Sequence, residues 1–178
     1  MKDLIRILTP PLSHNVVASL RAGDEFLITG TIYTARDAAH KRFVALLEKG
    51  KKLPVDLSGQ ILYYTGPTPM NPKTGRFSAG PTTSSRMDAF TPLLLARTGL
   101  AGMIGKGNRS SNAVDAMKKH GTVYFAAGGG LGALLGRCIT KSRVVCYPDL
   151  GPEAVYRLEV ENFPVIVAID SRGNNLYE

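Results

Sequence analysis

The chain has 178 residues, 44% of them hydrophobic, with 22 basic against 14 acidic side chains and a formal net charge of +8. That length suits one domain with a core of its own, and with no run of about 18 apolar residues the sequence speaks against a membrane-spanning helix. The charge admits nucleic acid as a partner, but no dense basic run, zinc motif or RNP signature accompanies it, and an anionic small substrate accounts for a cationic site equally well.

The opening, MKDLIRILTPPLSH, breaks at Pro10 and Pro11 before a signal-like apolar stretch develops, and the chain reads as soluble and cytoplasmic. EFLITGTIYT (25–34) is apolar and β-branched, hence a strand. ARDAAHKRFVALLEKG (35–50) follows as a helix with Ala39, Phe43, Leu46 and Leu47 on one face and Gly50 as its stop. Thr34 and Asp37 have the spacing of a capping signal for it. QILYYTG (60–66) is a second strand, followed by a proline-rich loop. RMDAFTPLLLARTG (86–99) is a helix, bent or divided at Pro92, and Ser85 with Asp88 repeats the capping spacing. LAGMIGKG (100–107) is a buried strand ending in a Gly-Lys-Gly turn, with SNAVDAMKKHG as the helix behind it. TVYFAAGGG runs into LGALLGRCI, again strand, glycine loop and helix. RVVCYP and YRLEVENFPVIVAID close the chain as strands. The pattern is α/β, a single domain over 1–178 with glycine-rich strand-to-helix loops.

Three of these junctions carry a cation: Arg36, Arg86 and Lys106. Helix N-termini favour anions, and in open α/β sheets ligands collect where such junctions line one edge. If the three share an edge, two guanidiniums and an ammonium converge, which suits a substrate with two carboxylates. Taken singly, each has an ordinary explanation. Asp37 and Asp88 are available to pair an arginine, Lys106 fits a solvated turn, and the hydroxyls of Thr82 to Ser85 serve equally as helix caps. GGGLGALLG lacks the Lys-Ser/Thr of a phosphate loop and reads as close packing of a helix on a sheet. Cys138 and Cys146 match neither a zinc nor a redox spacing and are too few for an iron–sulfur cluster. His14, His40 and His120 are scattered. Any metal chemistry therefore belongs to another chain.

GDEFLITGTIYTARDAAHKR, GPTTSSRMD, GMIGKG and PDLGPEAVYRLEVENFPVIVAIDSRGNNLY together resemble the β subunit, or C-terminal domain, of class I fumarate hydratases and L-tartrate dehydratases. The likeness runs from about residue 8 to the end. It implies a swivelling β/β/α domain that closes over the substrate of an oxygen-sensitive hydro-lyase. It also implies an α subunit partner that carries the 4Fe-4S cluster, so a hetero-oligomer in which this chain binds no cofactor itself. By the same resemblance Thr82 helps abstract the substrate proton, and Arg86, Arg36 and Lys106 contact the dicarboxylate, while the catalytic aspartate lies on the α chain. Ser84 and Ser85 receive no role. ARDAAHKR is closer to the fumarase branch, because the tartrate branch carries cysteines in this segment, as in CRDVCHRR. The expected reaction is the hydration of fumarate to (S)-malate, with no nucleic acid or membrane as partner. L-tartrate, mesaconate or another unsaturated diacid as substrate, a basic nucleic-acid module and a standalone anion-binding domain are the alternatives.

Overall fold

The computed structural model describes residues 6–128 and 130–178. The first five residues of the MKDLIRILTPPLSH segment and Gly129 of the glycine run lie outside the described residues.

Seven strands form one sheet: β1 (Ile7–Leu8), β2 (Glu25–Thr34), β3 (Ile61–Tyr63), β4 (Gly102–Gly105), β5 (Val123–Ala126), β6 (Ile139–Cys146) and β7 (Val155–Ile169). Their order is β1-β2-β3-β4-β5-β7-β6, with an additional β2–β7 pairing. β2 to β5 run parallel, whereas β7 is antiparallel to both β5 and β2. Those five strands close into a barrel. The rule for open sheets is therefore replaced here by a closed ring, whose parallel strands still bring their junctions to one end.

The two long strands do double duty. β2 pairs with β1 through Leu27 and Ile28 and with β3 through Tyr33 and Thr34. β7 pairs with β6 over Val155–Val160 and with β5 over Ile166–Ile169. Alternation explains which side each residue takes. Phe26, Ile28, Ile32, Ile61, Tyr63, Ile104, Phe125, Phe163, Val165 and Val167 fill one core cluster. Leu62, Tyr64, Met103, Tyr124 and Ile169 pack on the other side against helices α2 (Asp37–Glu48), α3 (Thr91–Thr98) and α4 (Ser111–His120). β3 and β4 are buried at every position, as strands covered on both faces must be. Each fully buried Ile or Phe is worth about 1.5–3 kcal/mol. A one-residue slip of β2 would turn Phe26, Ile28 and Ile32 outward and lose that contribution.

The helices start where local chemistry allows. Ser110 caps α4 by accepting the Ala113 N–H, and Gly121 ends it in the left-handed region. α2 begins at Asp37 behind Arg36 with no side-chain cap. The Thr34 hydroxyl, expected to cap, instead donates to the Ala154 carbonyl and accepts the Tyr156 N–H at 3.1 Å, so it ties β2 to the start of β7. The expected 86–99 helix is two pieces: a 3-10 turn over Ser84–Met87, then α3. Pro92 falls in the first turn of α3, where its missing N–H costs nothing. Ser85 and Asp88 form no cap, for Asp88 has another partner described below. Two short helices, α1 (His14–Ser19) and α5 (Gly132–Arg137), and a second 3-10 segment over Pro148–Glu153 complete the described elements. β6 starts at Ile139, four residues before RVVCYP. Among the described residues no helix is long and apolar enough to cross a membrane.

Candidate functional site

The register Thr34↔Tyr63↔Ile104↔Phe125 aligns the ends of the four parallel strands. The segments that follow these residues form one rim of the barrel. Arg36 lies two residues beyond Thr34 and is the cap residue of α2. Thr82 is fixed by its N–H, which donates to the Tyr64 carbonyl at 2.6 Å. Thr83 bridges to Lys106 in parallel pairing, and the Ser84 N–H donates to the Lys106 carbonyl at 3.0 Å. The GPTTSSRMD segment thus lies alongside the Gly-Lys-Gly turn. Such a close approach needs Gly105, since a Cβ there would stand 1.8 Å from the Ser84 hydroxyl oxygen.

The charges at the rim are partly spoken for. Arg86 Nε donates to Asp37 Oδ1 at 3.0 Å, which brings the Arg86 turn onto the residue next to Arg36. More than half of the Arg86 side chain is exposed, and Lys106 is exposed as well. Arg36 is half-buried. Its Nε stands 3.7 Å from Glu153 Oε1, too far for a hydrogen bond. Arg36 Nε, Glu153 Oε1 and Asp37 Oδ2 are all buried without a hydrogen-bond partner. Buried polar groups are nearly always satisfied; here Arg36 Nε has only the long ion pair with Glu153. Gly66 leaves room for it: a Cβ at Gly66 would meet the Arg36 guanidinium at 3.4 Å.

Beneath Arg36 lies His40, fully buried, its Nδ1–H donating to the Arg36 carbonyl at 2.8 Å. Burial pushes His40 down to about 4, so the ring is neutral at physiological pH. It packs edge-on against Tyr64, whose phenol burial holds well above its ordinary value.

The four residues singled out in the sequence therefore fall on one rim, Arg36 and Arg86 joined through Asp37 and Thr82 placed beside Lys106 through Thr83. Two cavities lie away from them. One of about 860 Å³ is bordered by Phe26, Leu131, Leu135 and Val165. The other, about 880 Å³, runs along Lys141, Arg143, Arg157 and Glu159. Sequence reasoning missed Arg109, in GKGNRS. Its buried guanidinium pairs with Asp88 at 2.6 Å, so Asp88 serves Arg109 and Asp37 serves Arg86. Glu153, beside Arg36, was missed too. An arginine placed directly before the cap residue of α4 was the available signal.

No three His, Cys, Asp or Glu side chains converge to hold a metal among the described residues. Cys138 and Cys146 are free and half-buried at opposite ends of β6. This donor set does not fit an iron–sulfur cluster.

Residues 3–178 match the family described as "Fumarase C-terminus". A protein of Methanocaldococcus jannaschii, described provisionally as an L(+)-tartrate dehydratase subunit beta, is 41% identical over 172 residues, covering 94% of this chain and 88% of that protein. The anaerobic class I fumarate hydratase of Escherichia coli is 41% identical over 154 residues, 85% of this chain. The mitochondrial fumarate hydratase 1 of Leishmania major is 42% identical over 152 residues. The chain spans 28% of the length of each of these last two.

Proposed function

The chain belongs to the fumarase C-terminus family, and from that premise we propose that it is the β component of a class I hydro-lyase that hydrates fumarate to (S)-malate in a site shared with an α subunit. The observation that carries the reading is the cationic rim: a half-buried arginine whose Nε has no hydrogen bond and only a long ion pair with Glu153, a second arginine held beside it and a lysine on the adjoining turn. A dicarboxylate offers two anionic ends to such a set. Arginine takes a carboxylate bidentately and lysine acts as a point charge.

In this reading Arg36, Arg86 and Lys106 bind and orient the two carboxylates. Removal of the proton beside a carboxylate builds negative charge on its oxygens, and fixed cations there stabilise the transition state more than the ground state. Thr82 stands on the same rim, held by its backbone. A threonine hydroxyl is a weak base in water, so its part in proton transfer depends on those cations and on a carboxylate from the α subunit. The 4Fe-4S cluster belongs to the α subunit in this proposal, in keeping with the poor donor set of this chain. Closure of the domain over the substrate by a swivel is part of the same proposal. The two free, half-buried thiols suit a reducing compartment, which we take to be the cytoplasm.

L-tartrate is the second reading. It is favoured by the Methanocaldococcus jannaschii relative, 88% of whose length the match covers, whereas Ala35 and Ala39, where the tartrate branch carries cysteines, favour fumarate. The test is turnover of fumarate and of L-tartrate by the chain alone and after anaerobic assembly with its cognate α chain. Fumarate hydration in the assembled sample only is the expected result. Turnover of L-tartrate alone would move the chain to the other branch. No turnover by a verified complex with an intact cluster would overturn the assignment.

A further inference from the structure

Asp88 and Arg109 make an ion pair sealed from solvent, with the Arg109 side chain 0% and the Asp88 side chain 9% exposed. Each guanidinium nitrogen and each carboxylate oxygen of the pair has a partner. Arg109 Nε donates to Asp88 Oδ1 at 2.6 Å and Nη2 donates to the Thr91 hydroxyl at 2.9 Å. Nη1 stands 3.6 Å from the Met103 sulfur. The guanidinium carbon lies 5.4 Å from the Tyr64 ring centre and 5.0 Å from that of Tyr124. Asp88 Oδ2 accepts the Ser110 N–H at 2.6 Å. Tyr124 extends the network: its hydroxyl accepts from the Ser84 hydroxyl at 2.9 Å and donates to the Gly107 carbonyl at 2.8 Å.

Burying two charges is unfavourable unless the geometry is good, and apolar residues of similar volume often stabilise a fold as well or better. What an apolar replacement lacks is direction. Asp88 follows Arg86 by two residues, and Arg109 follows Lys106 by three. The pair thus clamps the turn that carries Arg86 to the turn that carries Lys106, and its outer contacts reach the first residue of α3 and the cap residue of α4. Neither member opens onto the rim, so neither is placed to touch a substrate.

We propose that the Asp88–Arg109 pair is a positioning device that fixes the spacing between Arg86 and Lys106, and so the separation of carboxylates the site accepts. The second clause rests on the dicarboxylate reading above; the clamp itself does not.

The experiment uses the assembled α–β enzyme with Asp88→Asn and Arg109→Lys. Asparagine keeps the shape and loses the charge, and lysine keeps the charge and loses the fork. Two quantities are read at a temperature well below unfolding: hydrogen exchange at the Ser84 amide, which bonds to Lys106, and kcat and KM for fumarate and L-tartrate. Local opening of the clamp should speed Ser84 exchange by about tenfold or more, and displaced cations should lower kcat/KM by about tenfold to a hundredfold, largely through KM. Unchanged Ser84 exchange in both variants would overturn the clamp. Faster exchange with unaltered kinetics would overturn the positioning role, as would a lower melting temperature with neither change. Should both variants fail to fold, Thr91→Val loosens the guanidinium by removing its Nη2 partner, together with the Thr91 bond to the Met87 carbonyl, and carries the same test with a smaller expected effect. If the wild-type complex turns over neither diacid, the functional reading falls while the exchange measurement still decides the clamp.

Discussion

Gly105 is the tightest point between the barrel and the Arg86 turn, and Gly105→Ala tests whether that turn is wedged in place. Gly105 is not among the residues with positive φ, so alanine meets no backbone strain and the effect comes from space alone. The new Cβ would lie 1.8 Å from Ser84 Oγ, 3.2 Å from Ser84 Cβ and 3.1 Å from Tyr64 Cδ2. Rotating the hydroxyl away does not suffice, because the contact with Ser84 Cβ persists and the bond to Tyr124 is lost. Overpacking costs about 1–3 kcal/mol and the lost hydrogen bond about 1 more. At about 2–4 °C per kcal/mol for a chain of this size, the melting temperature should fall by about 5–15 °C. Ser84→Ala alone should cost about 1 kcal/mol, since Tyr124 keeps its Gly107 acceptor. With the hydroxyl gone, adding Gly105→Ala should cost less than it does in the wild type, a coupling of about 1 kcal/mol or more. Urea unfolding of the four chains measures the cycle. A Gly105→Ala variant within about 0.5 kcal/mol of wild type, or strict additivity in the double variant, would refute the wedge.

Arg86→Ala in the assembled enzyme should lower kcat/KM for the diacid by about tenfold or more; near-wild-type kinetics would remove Arg86 from the site. Thr82→Val should leave KM largely intact while kcat drops by about a hundredfold, and an unchanged kcat would take Thr82 out of proton transfer. His40 takes up a proton near 6.5 when unfolded but only near 4 when folded, so its contribution is whole above pH 6.5 and fades as pH falls toward 4, by up to about 3 kcal/mol. Unfolding free energies across that range should show a flatter profile for His40→Gln, and superimposable profiles would clear His40 as the cause. Burial raises the Cys146 thiol to about 11, so alkylation at pH 8 should run about a hundredfold slower than for an unshielded cysteine; labelling at the free rate would contradict the buried placement.

What could be read from the sequence was local. The strand at 25–34 matches β2 residue for residue because its apolar and β-branched composition favours strand even across Gly30, where the pairing register shifts. The Ser110 and Gly121 ends of α4 follow from capping chemistry in adjacent residues. Arg36, Arg86 and Lys106 were legible as rim residues because parallel strands send their junctions to the same end. What depended on distant partners was not legible. Nothing near Thr34 says that its hydroxyl will serve Tyr156 rather than a helix start. The polar run Thr140–Ser142 hides the first half of the edge strand β6, which is held by its pairing with β7, while RVVCYP marks its second half. Asp88 sits two residues from one arginine in sequence and binds another 21 positions away. The closing of the sheet into a ring rests on β2–β7 pairing between opposite ends of the chain, such as Glu25↔Ile166.

That last pairing bears on how the chain comes to be folded. On a ribosome, β2 emerges well before its partner β7, so Ile28 and Ile32 wait without their barrel lining until β7 has followed. Pairings of such long sequence separation place folding at the slow end for a domain of this kind, on the order of milliseconds to seconds. The unclosed intermediate exposes both an apolar face and unpaired strand edges, the features that favour aggregation. A ribosome stall or premature stop ahead of Val155 would leave a chain that has made every helix and every rim residue and still has no barrel to hold them.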